Sequence, residues 1–152
     1  MSQVINNQRK VEFDSKAFQN FLEKIFGAIP EISNKSATVA FISDRRMKEL
    51  NNFFRGKNLT TDVLSFPHAP DNFGNSSASA EIVEGDDKEF LGDIVISAEQ
   101  AERQAKENGL TLENEIEQLI LHGILHLCGY DHETDSGEMN RLELKLRKKL
   151  GI

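Results

Sequence analysis

The sequence predicts an α+β fold: a single compact domain over residues 1–152, with a small mixed sheet of about four strands packed with about five helices. Three observations lead there. Apolar residues recur at helical spacing in several segments, and short β-branched runs lie between those segments. The chain has 152 residues, 38% of them hydrophobic, which suffices for one core burying about two thirds of the unfolded surface. No internal repeat or low-complexity tract divides it.

The first strand is expected within Val4 to Phe13. Phe18, Phe21, Leu22, Ile25 and Phe26 then follow a helical period after Asp14 or Ser15, either of which can cap the start. Gly27 and Pro30 close that helix, predicted over residues 14 to 27. Thr38 to Ser43 is β-branched and apolar enough for a buried strand, and Asp44 is read as the cap of a helix reaching about Phe53. Asp62 to Phe66 reads as a short strand stopped by Pro67. Residues 67–89, rich in Ser, Gly, Asn and Asp, are too long for an ordinary connection and read as a mobile acidic surface loop. Phe90 to Ser97 is a further strand, in which Gly92 marks a bulge or the close approach of another backbone. A helix from Ala98 to Asn108 is closed by Gly109, and Thr111 caps the next. Only the Thr cap is supported there, because Asn114 stands where a reciprocal capping box needs Glu or Gln. Leu112 to Cys128 is apolar around much of its circumference and is therefore central to the core. The last helix, Ser136 to Leu150, carries Met139, Leu142, Leu146 and Leu150 on one stripe. Its basic end, Arg147 to Lys149, suits the negative end of the helix dipole.

The net charge of −7 at first argues against a polyanionic partner. Its distribution weakens that objection. Residues 67–89 carry six acidic and one basic side chain, and residues 98–117 carry six acidic and two basic, so the rest of the chain sums to +2. Arg45, Arg46, Lys48, Arg55 and Lys57 leave room for a local basic face. The lone Cys128 cannot pair within the chain and reads as a small apolar side chain in a reducing cytosol. Neither an apolar targeting core in the first ten residues nor a membrane-length apolar run is present, so a soluble cytoplasmic protein is expected.

The chemistry is concentrated in His122-Gly-Ile-Leu-His126-Leu-Cys-Gly129-Tyr-Asp-His132. On a helix, His122 and His126 stand one turn apart on one face. Gly129 can adopt the left-handed conformation that ends the helix and lets His132 return as a third ligand. Three imidazoles with an open fourth position describe a catalytic site for one zinc ion, although nickel, copper and iron also accept imidazole. The same spacing occurs in metzincin proteases, where a glutamate after the first histidine is the general base. Here that position is Gly123, which disfavours a metal-dependent protease or hydrolase of that kind. Asp131 and Glu133 flank His132 and are read as a turn residue and a helix-start acid.

Phosphodiester cleavage suits a metal site without a protein base, provided a cation meets the charge that gathers on the phosphoryl group. Arg55 and Lys57, read on a loop before a strand, are the candidates. Phe54-Arg55-Gly-Lys57, then Thr61-Asp-Val-Leu-Ser-Phe-Pro67, then Leu91-Gly-Asp-Ile94, then the histidine motif, together resemble the YbeY family of bacterial rRNA-maturation factors. That resemblance, which covers the chain from about Asp44 to its end, implies a metal-dependent, single-strand-specific endoribonuclease acting in small-subunit rRNA 3′-end maturation and ribosome quality control. By it, His122, His126 and His132 bind zinc and Arg55 contacts the scissile phosphate, with Lys57 a candidate for RNA binding. Its implied partners are single-stranded RNA and the small ribosomal subunit with its proteins; no membrane or DNA is expected. Asn58 and Thr60 depart from the family's acid and proline, which predicts a less rigid Arg55 loop. His68 is read as a solvated loop residue. The alternative from another class is a ribosome-assembly factor that binds RNA with little turnover.

Overall fold

Strand β4 (Phe90–Ser97) is flanked on both sides, and its partners run in opposite senses. β2 (Ser36–Ile42) lies parallel to it, pairing Val39 with Ile94 and Phe41 with Ile96. β3 (Val63–Pro67) lies antiparallel on its other side, pairing Leu64 with Val95. β1 (Gln3–Asn6) adds in parallel to β2, giving the order β1-β2-β4-β3. This computed structural model describes residues 2–68, 89–131 and 133–152. The expected loop at 67–89 lies almost wholly outside them.

Alternation along the strands divides the core in two. Val39, Phe41, Ile94 and Ile96 face helix α1 (Ser15–Ala28) and the central helix α4 (Leu112–Leu127), whose Ile116, Ile120 and Ile124 are fully buried. On the other face Ile42 and Leu64 meet Met47 of α2 (Asp44–Arg55) in a smaller cluster. Helix α3 (Ala98–Asn108) runs on from β4, and α5 (Glu138–Leu150) lays Met139, Leu146 and Leu150 on the main core.

Several boundaries move, each for a local reason. β1 stops at Asn6 because the Gln8 side chain then turns the chain, accepting from the Val11 amide at 3.0 Å. Ser43, not Asp44, caps α2 by accepting from the Arg46 amide at 3.3 Å. Asp44 is the first residue of that helix. The last helix begins at Glu138 rather than Ser136, since Asp135 side-chain oxygens accept the Gly137 and Met139 amides first. Thr111 caps α4 as expected, accepting from Asn114 at 3.1 Å. At Gly92, φ is +144°, and an added Cβ would lie 2.3 Å from the Phe66 carbonyl oxygen, so only glycine lets β3 and β4 approach there.

Candidate active site

Helix α4 brings His122 and His126 together. Their Nε2 atoms are 3.1 Å apart. The far side of each ring is engaged: His122 Nδ1 lies 2.9 Å from Glu143 Oε1, and His126 Nδ1 lies 2.9 Å from the Tyr130 carbonyl oxygen. Both partners only accept, so in neutral rings the Nδ1 atoms carry the protons and the Nε2 atoms carry the lone pairs. Two facing lone pairs at this distance repel unless a cation or proton lies between them. Two nitrogens on a tetrahedral zinc with bonds of about 2.0 to 2.1 Å stand about 3.3 Å apart, so the pair fits such an ion. Gly129 takes φ +99° just beyond the helix, as the motif requires. His132 lies outside the described residues, and among those described no group of three His, Cys, Asp or Glu side chains converges as a metal cage.

Glu143 is buried on α5 and binds both His122 and Arg147, whose Nη2 donates to its Oε2 at 2.5 Å. Burial pushes its carboxyl up, but the hydrogen bond from His122 and the hydrogen bond and charge of Arg147 outweigh that and hold it below the usual range. The carboxylate therefore stays an acceptor for the ring.

The opposite wall of the cleft is the edge strand β3 with the segment leading into it. Together with His122, His126 and Gly129, residues Arg55, Thr61 to Ser65 and Pro67 line a space of about 570 Å³. Arg55 is not on a loop: it is the last residue of α2 and is exposed at the cleft. The helix continues to it because Gly56 supplies the left-handed cap three residues beyond the expected end. Lys57 is exposed and is not among the residues lining the cleft. The segment after it is tied down despite lacking the proline. Asn51 Nδ2 donates to the Leu59 carbonyl at 2.9 Å, and Thr60 Oγ1 donates to Asp44 Oδ1 at 3.0 Å. Asp131 is indeed a turn residue, accepting the Glu133 amide at 2.9 Å. Glu133 lines the cleft ahead of α5 rather than starting a helix.

Gly123 acquires a reason. A Cβ there would sit 2.9 to 3.1 Å from three atoms of the fully buried Ile94 side chain, because α4 rests directly on β4 at this point. A glutamate in the metzincin position has no room. The helix can present histidines to the cleft only on the face turned away from Ile94.

The profile of the family described as Endoribonuclease YbeY matches residues 3–151. The chain belongs to the YbeY family. Proteins named Endoribonuclease YbeY from Caldicellulosiruptor bescii and Thermodesulfovibrio yellowstonii are 40% and 35% identical to it, covering 98% and 97% of this chain and 96% of each relative. Another from Nautilia profundicola is 38% identical over 93% of this chain and 92% of its own length. A solution structure from Thermotoga maritima aligns over 99% of this chain and 89% of its own, with TM-score 0.61 and 30% identity. The YbeY family is one of nucleases, so the chain is an enzyme of the hydrolase class acting on RNA phosphodiester bonds.

The sequence reading of this YbeY-family chain missed Glu143. It lies eleven residues past the histidine motif on the core face of an amphipathic helix, and its only signal was an acid where the stripe wants an apolar residue. Arg147, explained from sequence by the helix dipole alone, also pairs with Glu143 one turn away. The Tyr130 carbonyl has no sequence signal at all. His68 does not sit in open solvent: its ring lies 5.3 Å from that of Phe90, and its amide donates to the Leu91 carbonyl at 2.9 Å. Burial pushes the Cys128 thiol up, which suits a packing residue better than a nucleophile. Among the described residues no helix is long and apolar enough to cross a membrane.

Proposed function

We propose that this chain is a metal-dependent endoribonuclease that cuts single-stranded RNA, in particular small-subunit rRNA at its 3′ end, within ribosome maturation and quality control. One observation carries the reading: two imidazoles whose Nε2 atoms meet at 3.1 Å share a cleft of about 570 Å³ with an exposed arginine. His122, His126 and His132 would hold one zinc ion, which supplies Lewis-acid chemistry towards a phosphoryl oxygen. Glu143 and the Tyr130 carbonyl hold the two rings in the tautomer that presents Nε2. Arg55 offers planar, permanently charged donors to the phosphate and stabilises the charge that gathers on its oxygens in the transition state. Lys57, outside the cleft, assists as a backbone contact for the flanking strand. A cytoplasmic location and work on the small ribosomal subunit follow from that substrate. The space filled by Ile94 beneath Gly123 speaks against the protease alternative.

The test is cleavage of a labelled single-stranded RNA by purified protein, with metal content measured in the same sample. Wild type should cut and carry about one zinc per chain. His126→Ala should lose both, whereas Arg55→Ala should keep the metal and lose about two to three powers of ten in cutting rate. Metal bound without cutting by any sample would instead favour an RNA-binding assembly factor.

A further inference from the structure

Large exposed apolar side chains are few among the described residues. Among the described residues the large exposed ones are Phe53, Phe54, Leu59, Tyr130 and Leu144. Tyr130 lines the cleft on the histidine side and is 38% exposed. Phe54, 57% exposed, immediately precedes Arg55, which lines the cleft on the other side. Phe53 is 79% exposed and meets Phe54 edge-on with ring centres 4.8 Å apart. Phe54 in turn meets Phe66 edge-on, with ring centres 5.0 Å apart, on the edge strand whose next residue, Pro67, lines the cleft. An isolated exposed ring needs no explanation, but a group of them around one cleft marks a binding surface.

Charge selects the occupant. Arg45, Lys48, Asn52 and Arg55 recur at intervals of three and four and so form one stripe along α2, ending at the cleft beside Phe54. Lys57 follows in the turn. Flat rings interleaved with cations are the surface that unpaired nucleotides recognise, the bases lying on the rings and the phosphates on the cations. A duplex keeps its base faces stacked on one another and cannot use such a surface.

We propose that Phe54, extended by Phe53, and Tyr130 are base-stacking residues on the two rims of the cleft, gripping the unpaired nucleotides on either side of the phosphate that Arg55 contacts. This role rests on the nuclease reading above. It also assigns the preference for single strands to side chains outside the metal site.

The measurement is fluorescence anisotropy of a labelled single-stranded 2′-O-methyl oligoadenylate, its duplex form and the same strand with abasic positions, beside steady-state cleavage of the corresponding RNA. Phe54→Leu keeps an apolar contact with Phe66, Phe53→Ala alters an exposed side chain, and Tyr130→Leu leaves the carbonyl that holds His126 in place. Each ring lost should weaken single-strand binding by about tenfold, with the loss falling on KM and the salt slope unchanged. Abasic strands should bind wild type correspondingly less well and lose nothing further on the variants. Equal loss for duplex and single strand, or unaltered binding and KM in the Phe54→Leu/Tyr130→Leu double variant, overturns the stacking role while leaving the nuclease reading intact. Failure of the wild type to cut or bind RNA overturns the nuclease reading itself.

Discussion

Glu143 and Asp44 are two carboxylates that each hold an arginine, with different consequences. Each accepts from an arginine at 2.5 Å, Glu143 from Arg147 and Asp44 from Arg103. Burial raises both carboxyls, and in both the hydrogen bonds and charges of their partners win and leave them below the usual range. The difference lies in what each binds besides its arginine. For Glu143 it is an imidazole whose other nitrogen opens into the cleft, whereas for Asp44 it is a pair of hydroxyls, Ser97 at 2.6 Å and Thr60 at 3.0 Å. One carboxylate aims a side chain, and the other pins a stretch of backbone. Glu143 should therefore be read out in metal affinity and Asp44 in stability.

The largest expected effect tests the first half of that contrast. Glu143→Ala should lower zinc affinity about 10- to 100-fold by competition with a chelating dye, since the ring that it orients is freed. Glu143→Gln, whose amide oxygen can still accept from His122, should recover much of the loss. Equal affinities for wild type and Glu143→Ala would reduce the carboxylate to a packing residue.

A second prediction concerns the contact between α4 and β4 at Gly123. Gly123→Ala places a methyl group against Ile94, so it should destabilise the fold by about 1 to 3 kcal/mol in urea denaturation. The double variant Gly123→Ala/Ile94→Val, which makes room, should lose less than the sum of the two single changes. Additive losses would show that the helix and strand are not in the tight contact described.

Smaller effects belong to Asp44. Thr60→Ala should cost about 1 kcal/mol of stability with zinc affinity unchanged, because one hydrogen bond to the pinned segment is lost. A fall in zinc affinity as large as that of Glu143→Ala would erase the contrast. The acid limb supplies the last check. Asp44 ionises below its ordinary 3.8 in the folded state, so its contribution is complete above that value and is lost as pH falls through the lower folded value. In Asp44→Asn, stability should accordingly fall less steeply with acid than in wild type.

Much of this was legible in local pattern. The helices at α1, α3 and α4 and the strand at β4 follow from apolar period and from capping residues such as Thr111, because those signals act within one or two turns. Weak spots were those where a side chain several residues away decides, as Gln8 does after β1 and Asp135 before α5. At the site, His122 and His126 were readable because their spacing matches the helix period. Arg55 was readable as a candidate cation and as a motif residue, but its place at the end of α2 came from Gly56 closing the helix.

By itself, then, the chain order determined the metal-type motif, the family and the α+β class, since each depends on residues that are near neighbours or on recurring periods. The tertiary structure alone decided that Glu143, far along another helix, sets the tautomer of His122, and that Ile94 excludes a base from position 123. It also decided that Arg55 and Tyr130, 75 residues apart, line one cleft. The physical reason is common to all three. Such contacts form between elements brought together by burying a shared core, and no local period encodes which side chains then meet across the gap.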